Sequence, residues 1–110
     1  MTSRMALLCL LASAVLEAGG DALIRSSLFS NKPVMRVLFL IFGGLVLTIY
    51  GYLVNAPKWD FGKLIGVYVV FFFVVAQAIS WISFKQPPSP HTLLGGALLI
   101  AGGIVIFMGK

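Results

Sequence analysis

Four apolar runs, each long enough to cross a bilayer, follow one another with only short polar segments between them. They fall at about residues 5–24, 37–54, 64–84 and 92–108, near the 17–25 residues a membrane helix requires. In hydrocarbon every backbone N–H and C=O has to be paired inside the protein, so only helices and closed barrels span a membrane. Near-continuous apolar runs of this length point to helices. The segments between are polar and hold helix breakers: Ser26, Ser27, Ser30, Asn31, Lys32 and Pro33, then Pro57, Lys58 and Asp60, then Pro87, Pro88 and Pro90. Proline removes a backbone donor and stops a helix. The expectation is an all-α membrane protein with four transmembrane helices in a single domain over residues 1–110. No room remains for a soluble domain, a nucleotide site or a long linker.

Composition narrows the function classes. The chain is 60% hydrophobic and 10% charged, whereas a soluble domain carries about a quarter charged residues. Its 8 Lys and Arg against 3 Asp and Glu give a net charge of +5. The basic residues stand at the ends of the apolar runs, where long side chains reach lipid headgroups. No basic stripe or known motif points to nucleic acid, so membrane lipids are the expected partner and nucleic acid is not. Trp59 and Trp81 fall near the expected interfaces, where aromatic belts sit. Cys9 stands alone, which leaves it no internal disulfide and reads as apolar packing. His91 lies in the Pro-rich segment without a nucleophile arrangement, and there is no P-loop, G-x-S-x-G or H-E-x-x-H. Neither an enzyme, a cofactor nor a metal site is expected. Arg4, the apolar residues 5–11 and Ala12-Ser13-Ala14 have the outline of a signal peptide. The apolar stretch continues past Ala14 to Ile24, however, so a retained first span is expected.

The basic residues are shared evenly between the two sides. Arg4, Lys58, Lys63 and Lys110 fall on one side of a four-span topology, and Arg25, Lys32, Arg36 and Lys85 on the other. The positive-inside rule then favours neither orientation. Either both orientations are inserted, or the N-terminal amine and unequal weighting of near-helix charges still fix one.

Within the first run stands Glu17, about 18 Å along it at 1.5 Å per residue and so near the middle of a hydrocarbon core about 30 Å thick. Acids at such depth are costly and are functional-site hypotheses by default. Asp21 follows at i+4 and Arg25 at i+8, and neighbours at i,i+4 meet on a helix surface. Ser13, Glu17, Gly20 or Asp21, and Ile24 or Arg25 form one stripe. Arg25 at the helix end can reach the interface and pair with Asp21, as an ion pair or gate. Glu17 has no cation at i±3 or i±4, which disposes it to hold a proton and release it when a cation arrives. The plainer alternative is a hydrogen-bonded Glu that locks helices. Gly19 and Gly20 between the acids admit a close-approaching ligand or, equally, a packed helix.

In the third run, Tyr68 and Gln77 are polar groups at membrane depth, expected to face a cavity with Glu17. Phe71, Phe72 and Phe73 read mainly as lipid-facing or packed. Phe73, Gln77 and Trp81 share a face, as do Gly62 and Gly66. Tyr50 at the end of the second run is a further candidate cavity residue, and Tyr52 a belt residue. In the fourth run Gly95 and Gly102 are seven apart, as are Gly96 and Gly103, with Ala97 and Ala101 adding a small pair. Such a heptad makes a groove for close helix contact, here between chains or within one.

These features together resemble the small multidrug resistance family of the drug/metabolite transporter superfamily, as a distant member or a sister group. The resemblance spans nearly the whole chain. Its most specific part is the stretch 16–25, LEAGGDALIR, where Glu17, Gly20 and Arg25 fit the family's membrane-embedded Glu, the Gly three residues on and the basic residue eight on. Gly95 and Gly102 match the glycine heptad of the fourth helix, and Gly62 to Tyr68 lie loosely on the third-helix motif. Tyr68 stands where the family has Trp, Ile65 where it has Tyr, and Asp21 is foreign to the pattern. The resemblance implies an antiparallel homodimer joined through the fourth helices, in a bacterial inner membrane. It implies proton-coupled export of small cationic or lipophilic amines by alternating access, with protons and substrate competing for the two Glu17 residues. The even charge distribution agrees with this independently. A lone bundle of four helices leaves little room for a path, which also favours a dimer. A flippase for a lipid-linked or polar metabolite, one half of a heteromeric transporter, or a non-transporting membrane subunit are the competing readings.

Overall fold

The computed structural model describes residues 2–109, and Lys110, one of the basic residues weighed above, lies outside them. Four helices make up the described chain: α1 Ser3–Phe29, α2 Pro33–Val54, α3 Phe61–Phe84 and α4 Pro90–Met108. All four are long and apolar enough to cross a membrane, and no strand occurs among the described residues. The protein is an all-α membrane protein, as its hydropathy requires.

The helices outrun the apolar stretches because different physics ends each. Hydropathy marks the lipid depth, whereas a helix continues until caps or proline stop it. α1 passes Ile24 and takes in Arg25, Ser26 and Ser27. There the Ser27 hydroxyl donates to the Arg36 carbonyl oxygen at 2.8 Å and ties the turn to α2. Pro33 and Pro90 open α2 and α4 at their first turns, where the missing N–H costs nothing. The Ser89 hydroxyl caps α4 by accepting from the Thr92 N–H at 3.1 Å. α3 closes on Lys85 in the left-handed region, φ 55°, and the Gln86 N–H returns to the Ser80 carbonyl at 3.0 Å. This is the way many helices satisfy their last carbonyls.

Polar side chains inside the helices are satisfied locally. Ser13 donates to the Cys9 carbonyl at 2.7 Å, Thr48 to Gly44 at 2.9 Å and Asn55 to Gly51 at 2.8 Å. Each bonds one turn back on its own helix, as a low-dielectric surrounding demands.

The helices are arranged side by side as α2–α1–α3–α4: α1 packs on α2 and α3, and α4 on α3 alone. The molecule measures 49 × 34 × 18 Å. α4 touches α3 alone, and the Tyr50 and Tyr68 rings bring α2 and α3 together beside α1, so the chain forms a bent, open layer instead of the lone bundle considered from sequence. Between helices in lipid there is no hydrophobic drive, and small residues that permit close van der Waals contact take its place. α1, in the middle, buries Ala6, Leu10, Ser13, Ala14, Ala18 and Gly20. The densest packing gathers Leu10 and Ala14 of α1, Val54 of α2, and Leu64, Val67 and Tyr68 of α3.

Candidate functional site

Two i,i+4 ridges face each other across the α1–α3 contact, one with Glu17, Asp21 and Arg25, the other with Tyr68, Phe72, Ala76, Ser80 and Phe84. Residues four apart lie on one helix face, and rows of this spacing are natural packing ridges. At one end the Tyr68 hydroxyl donates to Glu17 Oε1 at 2.8 Å. At the other, the Arg25 guanidinium lies 5.4 Å from the centre of the Phe84 ring and 5.2 Å from that of Phe29, within cation–π range. Between them an open cleft of about 310 Å³ is lined by Asp21 and Arg25 from α1 and by Phe72, Ala76, Ser80 and Phe84 from α3.

Glu17 sits half-buried, midway along α1. Its hydrogen-bond donor is held rigidly. Tyr68 is only 4% exposed, and its ring stacks on Tyr50 of α2 with centroids 5.8 Å apart and planes 29° apart. Phe72 follows, 6.3 Å from Tyr68. Three helices therefore meet at the carboxylate: α1 supplies the acid, α3 the phenol and α2 the ring that braces it. A phenol O–H bonded to one oxygen stabilises a carboxylate while the other oxygen meets a cation, and it contributes less once the carboxyl is protonated.

Asp21 and Arg25 both face the cleft, yet among the described residues no carboxylate–cation contact within 4.0 Å joins them. The guanidinium is drawn instead between the aromatic rings at the ends of α1 and α3. No group of three or more His, Cys, Asp or Glu gathers to hold a metal among the described residues.

The remaining candidates are distributed differently from the single stripe read in the sequence. Ser13 is fully buried with its hydroxyl spent on Cys9. Gly20 meets α2: a Cβ there would come within 2.8 Å of Leu47 and 3.3 Å of the Gly43 carbonyl oxygen, so this glycine serves the α1–α2 crossing. Gly19 has open space instead. Gln77 is nine residues beyond Tyr68, which at 3.6 residues per turn is the opposite side of α3. That is the side on which Phe73 and Val70 meet α4.

Two proteins share most of their length with the chain. A UPF0060 membrane protein of Herpetosiphon aurantiacus is 27% identical over 92 residues, 82% of this chain and 81% of that protein. A UPF0060 membrane protein of Clostridium beijerinckii is 30% identical over 94 residues, 84% of this chain and 82% of that protein. The chain belongs to the UPF0060 membrane protein family. No family model and no solved structure matches it.

In this UPF0060 chain the two glycine registers of α4 have different surroundings. Cβ atoms on Gly96 and Gly103 would collide with Phe73 and Val70 of α3, whereas Gly95 and Gly102 have nothing within 4 Å. The first pair seats α4 on its own α3, and the second faces outward in a groove with Leu98, Leu99 and Ile106. The ridge 68-72-76-80-84 of this UPF0060 protein does not stand out in the sequence, where Phe73, Gln77 and Trp81 mark the neighbouring stripe. Continuing the i,i+4 count from Tyr68 would have found it.

Proposed function

We propose that this UPF0060 protein is a small secondary transporter of the small multidrug resistance kind, within the drug/metabolite transporter superfamily. It exchanges protons for small cationic or lipophilic amines at Glu17. One observation carries the reading: a mid-helix carboxylate with no cationic partner among the described residues is held by a buried tyrosine hydroxyl, beside a cleft that opens between α1 and α3. Acids kept at membrane depth mark ion and proton paths. A proton and an organic cation compete for one carboxylate, so the binding of either releases the other, which is the coupling antiport requires.

The working unit in this proposal is an antiparallel homodimer in a bacterial inner membrane. The open arrangement supports it, since α4 touches α3 alone and the α1–α3 cleft is open on one side, whereas two copies facing each other enclose a path. The evenly shared basic residues and the outward glycines Gly95 and Gly102 support it as well. Two inverted copies then supply the inverted repeats on which alternating access is built. The test is a proteoliposome flux screen with tetraalkylammonium and aryl-amine compounds under a pH gradient. Wild-type protein should move at least one of them against its gradient and Glu17→Gln none. Equal flux in both would overturn the proposal.

A further inference from the structure

Asp21 and Arg25 face one cleft, one helical turn apart, and the exchange at Glu17 uses neither. Their spacing would allow an i,i+4 ion pair, yet no contact within 4.0 Å joins them. Arg25 is held open by its surroundings. Phe29 and Phe84 lie against the guanidinium at 5.2 and 5.4 Å. Ring contacts use none of the guanidinium's N–H donors, which stay available to grip a carboxylate or phosphate in two-pronged fashion. Asp21 lies deeper, about 6 Å closer to the middle of α1 at 1.5 Å per residue, and Glu17 about 6 Å deeper still. The other cleft walls include Phe72, Ala76, Ser80, Phe84 and Gln86, around a volume of about 310 Å³. That is the lower end of the range for small-molecule sites.

We propose that this cleft binds small zwitterions, with the ammonium against Asp21 and Phe72 and the anionic group on the edge of Arg25. A cation alone would leave Arg25 unanswered, and an anion alone would leave Asp21 so. A molecule carrying both, ammonium end inward, satisfies the two and directs its cationic end toward Glu17. Among the amines that reach Glu17, the site thereby favours those that also bear an anion. Its place on a path to Glu17 rests on the transport reading, but the binding itself does not.

The test is calorimetric titration of the full chain in phosphatidylglycerol nanodiscs with glycerophosphocholine, and with choline as the probe lacking the anion. Glycerophosphocholine should bind at least tenfold more tightly than choline. Asp21→Asn and Arg25→Gln should each weaken it at least tenfold, and Arg25→Lys should keep part of the affinity. Ala76→Phe, which fills the cleft with both charges intact, should abolish binding while far-UV circular dichroism shows unchanged helix content. Glu17→Gln, in which proton exchange is lost, should still bind glycerophosphocholine at least tenfold more tightly than choline, which separates this site from the transport proposal. Repeating the titration in phosphatidylcholine discs identifies the source. Unchanged affinity means that free zwitterions take the cleft, and weaker affinity means that the lipid headgroup competes for the same place. Equal binding of choline and glycerophosphocholine, or wild-type binding in Arg25→Gln or Ala76→Phe, overturns the proposal.

Discussion

Replacing Gly43 by Ala tests the crossing that brings three helices to Glu17. A Cβ on Gly43 would stand 2.9 Å from Ile24 Cδ1 and 3.1 Å from the Gly20 carbonyl oxygen. Carbon contacts are comfortable at about 3.5–4.0 Å. The Ile24 side chain can turn away, but the Gly20 carbonyl belongs to the α1 backbone and moves only if the helices separate. Such overpacking costs roughly 1–3 kcal/mol. Gly44, the next residue, has nothing within 4 Å, and Ala there favours the helix by about 0.5–1 kcal/mol. Adjacent Gly→Ala changes should therefore differ by roughly 1.5–4 kcal/mol. The assay is reversible unfolding in mixed micelles, followed by circular dichroism, for wild type, Gly43→Ala and Gly44→Ala. The site should register the change too. Tyr50 lies two turns beyond Gly43 on α2, and a displaced α2 withdraws the ring that braces Tyr68. A Gly43→Ala protein as stable as Gly44→Ala would refute the crossing, and with it the account of how Tyr50 reaches Tyr68.

Tyr68→Phe keeps the buried ring and removes the donor to Glu17. Hydrogen bonds to charged groups contribute roughly 1.5–3 kcal/mol, so apparent amine affinity at neutral pH should fall roughly ten- to a hundredfold, as read by equilibrium binding, with the fold intact by circular dichroism. The two glycine registers of α4 should separate by assay. Gly103→Ala meets Val70 and should lower thermal stability by roughly 1–3 kcal/mol. Gly102→Ala, with open space in the chain, should not lower that stability and should weaken dimerisation in a lipid-dilution cross-linking series. Unaltered dimerisation in Gly102→Ala would remove α4 as the contact between copies. Ser27→Ala deletes the hydroxyl bond to the Arg36 carbonyl and should cost about 1 kcal/mol, measured by the same micelle unfolding.

Helix number and membrane class were legible in the sequence because hydropathy over some twenty residues is a direct record of lipid exposure. Helix ends were less so: Arg25, Ser26 and Ser27 look like loop by polarity but are carried inside α1, since capping and proline end a helix. Glu17 stood out by its cost. Tyr68 as its donor did not, because fifty-one positions separate them and only the parallel packing of α1 on α3 joins them. The stripe of Ser13, Gly20 and Glu17 was read as one face, yet a helix in the middle of a layer has two packed sides. Gly20 turns to α2, Ser13 is spent on Cys9 and Glu17 points to Tyr68. Likewise Gly95 with Gly102 and Gly96 with Gly103 are equivalent as heptads and differ in what lies opposite, a distinction held in α3 and not in α4's own sequence.

Proton release from purified protein tests the central claim most directly. In weakly buffered detergent solution with a pH indicator, adding a tetraalkylammonium or aryl-amine series to the wild-type protein should release protons in step with binding. The same additions to Glu17→Gln should release none. Proton release unchanged in Glu17→Gln, or no release from wild type with any of these amines, would contradict the assignment of Glu17 as the shared proton and cation site.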